Sequence, residues 1–247
     1  MSKQLLIYES AVPITLSAHA KTFFESTGDY AFSQEINAVP LTVGEIFEAS
    51  SEYAIVFVEI GKEVMPAAVL GVQPEQNLYL SKDNHWNAKY IPAFIRRYPF
   101  VFAATEEGST LTLCLDETHP GINQDGRGEP FFSRDGQPSE YIEGVLKFLK
   151  AYQAQFQYTK EFCAKIKQLN LLEPLQAEVK KPSGEKVLLG DFQGVTRQRL
   201  HTLSADSLQE LVKRDELELI YLHLHSLKNF DVVRDRFLEN PQVVSGA

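Results

Sequence analysis

Apolar and polar positions alternate in several short runs of this chain and recur at helical spacing in one long run. Ala54–Ile60 (AIVFVEI) and Met65–Val72 (MPAAVLGV) are β-like, and Gly61-Lys62-Glu63 between them predicts a hairpin. Phe100–Ala104 and Thr110–Leu115 form a second such pair around Glu106-Glu107-Gly108. Leu175–Val179 and Lys186–Phe192 form a third around Lys180–Gly184. From Ser139 to Asn170 the pattern changes. Ile142, Val145, Leu149, Tyr152, Phe156, Thr159, Cys163 and Ile166 recur at steps of three and four, which predicts one long amphipathic helix, or two joined by a kink. It would lie across the sheet or provide the seam of a homodimer.

Shorter signals fill the gaps. Residues 1–40 read as extended pieces and loops. Thr42-Val43-Gly44-Glu45 matches a capping box, so a short helix is expected to follow as far as Ser51. Asn77–Leu80 is expected as a further strand. Pro92 suits the first turn of a short helix through Arg97, which Pro99 should end. Asp116 to Pro138 is dense in Gly, Pro and Asp and reads as a long loop, pinned to the body by Phe131 and Phe132. Ser204 starts a helix to about Arg214, the apolar run Leu217–Leu227 follows, and the residues from Pro241 onward read as a loose tail. The pattern predicts an α+β fold with a mainly antiparallel sheet, one long helix and a C-terminal helical lobe. A single domain over 1–247 is expected, with a sub-lobe over 171–240.

Composition narrows the partners. The chain has 247 residues, 44 % apolar and 23 % charged, with a net charge of -9, so it can bury a substantial core. An acidic chain lacks the basic footprint of a nucleic-acid binder. No apolar run approaches a membrane span, and the opening MSKQLLIYESAVPITL has no signal-peptide core, so a cytoplasmic protein is expected, with a C-terminally signalled, non-classical export route as the alternative. Cys114 and Cys163 sit among apolar neighbours and read as two buried, reduced thiols.

The densest candidate chemistry is NLYLSKDNHWNAKYIPAFIRRYPF, Asn77 to Phe100, which holds the only Trp. Arg96 and Arg97 would hold a carboxylate or phosphate beside an aromatic wall of Trp86 and Tyr90. Alternatively they would close ion pairs with the chain's own carboxylates while the rings fill the core. Adjacent helical residues point about 100° apart, so at most one arginine should face a pocket. Asp116, Glu117, His119, Asp125 and Glu129 gather oxygen ligands and an imidazole, but in no metal-site spacing. His223-x-His225 would share a face only on a strand; LELIYLHLHSL instead suggests a buried helix with satisfied histidines. No metal or cofactor is expected. No nucleophile motif and no glycine-rich phosphate loop is present.

The succession VLG-x5-NLYL, W-x3-YIPAFIRRYPF, FF-x3-G-x-P and LELIYLHLHSL resembles the SapC family, from about Tyr30 to Phe230. The motif positions carried over are Asn77, Trp86, Tyr90, Pro92, Arg96, Arg97, Pro99 and Phe100. The resemblance implies a bacterial protein associated with a surface layer, and no particular reaction. The given residues show neither a signal-peptide core nor the Gly/Asp nonapeptide repeats of calcium-dependent export, so a structural role in an external lattice is not expected. The expected function is a non-enzymatic binding or accessory protein. Its surface would comprise Asn77, Trp86, Tyr90, Arg96 and Arg97, with Asp116 to Phe132 as a flap, and its partner would be a polypeptide or an acidic small molecule. The alternative is a cytoplasmic enzyme acting on a peptide or glycan precursor, metal-assisted or not, with Asp116, His119 and Asp125 near the chemistry.

Overall fold

A computed structural model describes residues 7–104, 111–181 and 183–239. The fold is α+β, and every strand pairing is antiparallel. The central sheet has five strands. Its first hairpin is β4 (Ile55–Ile60) and β5 (Glu63–Val69), with Ile60 opposite Glu63, so the turn is only Gly61-Lys62. Gly61 takes φ +68°, which a glycine adopts without steric cost. β3 (Ala38–Pro40) pairs with the far edge of β5. The hairpin β10 (Leu172–Lys180) and β11 (Lys186–Val195) joins β4 at Gln193 opposite Phe57.

The long helix, α4 (Glu140–Gln168), starts at Ser139, whose hydroxyl accepts the Ile142 N–H. Its 29 residues span about 44 Å. Ile142, Leu149, Tyr152, Thr159, Cys163 and Ile166 are buried, with Phe162 added to the expected stripe, and the helix packs along β5. The Thr159 hydroxyl accepts the Val43 N–H at 2.9 Å, tying the capping-box turn to the helix. Cys163 and Cys114 are buried free thiols.

Two expectations change. Asn77–Leu80 is not a strand: it forms only an isolated bridge, Leu80 to Trp86, because the segment is held by side chains rather than a ladder. The stretch after Asp116 is not all loop. Ile122–Asn123 and Glu129–Pro130 flank Phe23–Phe24 in a three-stranded sheet of two-residue strands. Phe131, fully buried, fixes it to the body, as expected of that residue. Gly128 permits the close approach: it takes φ +81°, and a Cβ there would meet the Phe24 carbonyl oxygen at 2.1 Å. A third sheet joins β1 (Ala11–Pro13), β7 (Leu111–Asp116) and β6 (Phe100–Ala104). The expected turn Glu106–Gly108 and the tail from Pro241 lie outside the described residues.

The apolar run near the C-terminus is α7 (Glu216–Ser226). His223 is fully buried, while His225 is exposed, so the two diverge as on any helix. His223 Nε2 accepts the Val195 N–H at 3.0 Å, and Nδ1 donates to the Ile55 carbonyl at 2.9 Å. Ser226 and Asn229 also bond residues 50–55, so the C-terminal helices share hydrogen bonds with the central sheet. Burial lowers the His223 pKa from 6.5 to about 4, outweighing its two backbone hydrogen bonds. The unfolded chain therefore takes up a proton below about pH 6.5 that the folded chain resists until about pH 4. Stability is full above 6.5 and falls as the pH drops toward 4, by about 3 kcal/mol from this group alone. Urea titrations across that window should show this slope. His223→Gln should be less stable throughout and should lose that part of it; an unchanged slope would exclude His223 as its source.

Candidate functional site

The block from Asn77 to Phe100 divides into an internal truss and one open face. Two carboxylates organise it. Glu52 accepts the N–H groups of Lys89 (2.7 Å) and Tyr90 (3.0 Å). Glu45 completes the capping box by accepting the Thr42 N–H (2.8 Å) and hydroxyl (2.9 Å), and its other oxygen accepts the Ala93 N–H (2.6 Å) and the Tyr90 hydroxyl (3.0 Å). The bond to the Ala93 N–H caps the start of the single-turn helix α3 (Ala93–Arg96), which stops at Arg97 ahead of Pro99.

Trp86 donates its indole N–H to the Tyr53 hydroxyl at 2.8 Å, and that hydroxyl donates to the Tyr90 carbonyl. The indole lies against Tyr79 and Tyr30, with ring centroids 6.5 and 5.8 Å away. Asn77 donates to the Ser33 carbonyl at 3.0 Å and accepts the Tyr79 N–H at 2.9 Å. Arg236, from a C-terminal helix, closes the truss. It donates to the carbonyls of Leu78 (3.1 Å) and Asn87 (2.7 Å) and lies over the Tyr79 ring at 4.2 Å. Nothing in the local pattern of the sequence points to Arg236, because its partners are backbone oxygens some 150 residues away.

The two arginines part company, as the helical step requires. Arg97 is 5 % exposed, with its guanidinium over Phe94 (4.2 Å), Tyr152 (5.1 Å) and Tyr8 (5.7 Å). Arg96 faces outward. Its guanidinium rests over Phe148 (5.3 Å) and Tyr90 (5.6 Å), and Nε donates to the Ile91 carbonyl at 2.9 Å. Nη2 donates to the Tyr90 hydroxyl at 3.3 Å. Tyr90 thus relays the position of buried Glu45 to Arg96. Among the described residues no carboxylate is paired with Arg96, and a guanidinium has five N–H donors, so its outer fork stays available.

Arg96 stands on the wall of a cleft of about 440 Å³ between residues 24–32, the 95–100 stretch and the first turns of α4. Phe24, Phe32, Tyr98 and Phe148 provide its apolar surface, and the Phe32 and Tyr98 rings are 4.1 Å apart. His119 reaches the same cleft from the acidic segment. Its Nδ1 accepts the Gly121 N–H at 2.9 Å, which leaves the proton on Nε2. Burial lowers its pKa, against the opposing charges of Asp116 and Asp29, so the ring is neutral at pH 7. The other acidic residues do not gather around it. Asp116 is fully buried, accepting the N–H groups of Glu9 (2.7 Å) and Thr118 (3.2 Å). Glu117 pairs with buried His19 at 3.1 Å, and Asp125 lies 3.7 Å from Arg127. Among the described residues no three His, Cys, Asp or Glu side chains are grouped to hold a metal ion, and no helix is long and apolar enough to cross a membrane.

These features define an α+β protein with a pre-formed, aromatic-walled cleft and one outward arginine. The family model SapC matches residues 14–232, and the chain belongs to the SapC family. No curated protein and no solved structure matches it.

Proposed function

We propose that this SapC-family chain is a non-enzymatic binding protein whose ligand carries a carboxylate or phosphate and an apolar body. The observation that carries this reading is Arg96: outward, fixed by Ile91, Tyr90 and Phe148, free of carboxylates among the described residues, and set on an aromatic cleft. An arginine held in this way has little left to lose in ordering when it meets an anion. A cleft of this size is in the range used for small molecules and peptide ends. Within the expected surface, Arg96 is then the contact and Tyr90 a positioning residue, while Trp86 and Asn77 hold the frame. An accessory role at the bacterial surface layer or cell envelope is the process proposed, supported by the family alone.

Calorimetric titration with 3-phenylpropionate and phenyl phosphate tests the site. At least one should bind, and Arg96→Ala should weaken that binding at least about tenfold, because a charge-assisted contact is lost. The melting temperature should barely move, since Arg96 is exposed. Equal binding by the variant, or no binding by the wild type, would refute the reading. A second reading rests on neutral His119 in the same cleft: an enzyme acting on a peptide or glycan precursor. Cell-extract fractions incubated with wild type or His119→Gln and compared by mass spectrometry would favour it if a product formed only with the wild type.

A further inference from the structure

The Arg96 cleft carries both signs of charge. Asp29 and Glu140 line it together with Arg96. One Asp29 oxygen accepts the Ala31 N–H at 2.8 Å, which fixes the side chain; its second oxygen and the Glu140 carboxylate make no hydrogen bond or ion pair among the described residues. Tyr30 lines the same space, and its hydroxyl is likewise without a hydrogen-bond partner there. The Arg96 charge opposes the burial that raises the Tyr30 pKa, while Asp29 acts on His119. Phe24, Phe32 and Tyr98 line the same cleft, as does the buried Arg97.

A purely anionic ligand would meet Arg96 but would also face the Asp29 and Glu140 carboxylates. A purely cationic one would meet the reverse. From this juxtaposition we infer that the ligand is a zwitterion with an aromatic or bulky apolar side chain: a free amino acid or a whole short peptide. Its carboxylate would pair with Arg96, its ammonium with Asp29 and Glu140, and its side chain would lie on Phe24, Phe32 and Tyr98. This inference rests on the Arg96 reading above and narrows its ligand class.

Four probes separate the possibilities by calorimetry: L-phenylalanine, the dipeptide phenylalanyl-glycine, 3-phenylpropionate and N-acetyl-phenylalanine. At least one of the two zwitterions should bind about tenfold or more tightly than both amine-free acids, the size expected of a charge-assisted contact in a partly desolvated site. The tighter of the two identifies the source as free amino acid or peptide. In the Asp29→Asn/Glu140→Gln variant that advantage should vanish while 3-phenylpropionate binding stays or improves. Unaltered melting would show the fold intact, and the amide oxygen introduced in place of the Asp29 carboxylate can still accept the Ala31 N–H. Equal binding of all four probes by the wild type would overturn the zwitterion inference and leave the Arg96 site standing. An advantage that survives in the double variant would overturn the roles of Asp29 and Glu140. Binding of none would overturn both the inference and the site.

Discussion

Glu45→Ala is expected to destabilise the protein by about 3–5 kcal/mol, since a buried charged acceptor is lost and its donors are left unsatisfied. Glu45 is 5 % exposed and accepts from Thr42 twice, from Tyr90 and from Ala93. A capping box stabilises one helix start; this carboxylate serves two, because its second oxygen caps α3. Thr42→Ala removes only the hydroxyl, so it should cost about 1 kcal/mol, the usual worth of a cap. Glu45→Gln keeps one oxygen and turns the other position into a donor, which then faces donors. It should lie between the two. Urea unfolding would rank the three variants. A Glu45→Ala cost no larger than that of Thr42→Ala would show that the contacts to Tyr90 and Ala93 contribute nothing. The folded Glu45→Gln protein offers a further check. Tyr90 would lose its anchor and Arg96 its support, so 3-phenylpropionate should bind more weakly although Glu45 touches no ligand.

Local signals were legible where the cause is local. The Thr42–Glu45 box reads directly from side-chain type and spacing, and the structure forms both of its bonds. The β4–β5 hairpin reads from alternation around a glycine, and α4 from a stripe repeated along its whole length. The Asn77–Leu80 strand fails because its bonding is set by Ser33, Arg236 and Tyr79's own backbone, none of which alternation encodes. Two-residue strands such as Phe23–Phe24 are too short to carry a period and exist only because Ile122–Asn123 and Glu129–Pro130 meet them. The cleft illustrates the same limit. Its arginine stood out in YIPAFIRRYPF, and the 100° step anticipated that one of the pair would turn inward. Its other wall, from Phe24 to Phe32, and the carboxylates Asp29 and Glu140 come from segments with no shared local pattern. Only the tertiary packing of residues 24–32 on α4 brings them to Arg96.

The second large effect is expected at Glu216, and its sign depends on what is changed with it. The side chain has no solvent exposure, because the chain turns at Asp215, in the left-handed region at φ +57°, and sends the next residue beneath α4. Lys165 Nζ lies 2.8 Å from one carboxylate oxygen and Arg214 Nε 2.9 Å from the other. Lys165 also reaches Glu210 at 2.9 Å, and Arg214 lies 3.6 Å from Glu161. Burial lowers the Lys165 pKa, but its bonds to Glu210 and Glu216 outweigh that and raise it. Glu216→Leu should therefore cost about 3 kcal/mol, since it removes the buried one of the two carboxylates that hold the part-buried Lys165 ammonium, leaving only Glu210, beside a guanidinium, while conserving most of the volume. Arg214 is 42 % exposed and can turn to water and Glu161, so most of the loss belongs to Lys165. Lys165→Met/Glu216→Leu should then recover most of the stability, because removing both buried charges also removes the cost of desolvating them. Unfolding curves of the two single variants and the double variant form a cycle that isolates the pair. A double variant as damaged as Glu216→Leu alone would mean that shape, not charge, makes Glu216 necessary.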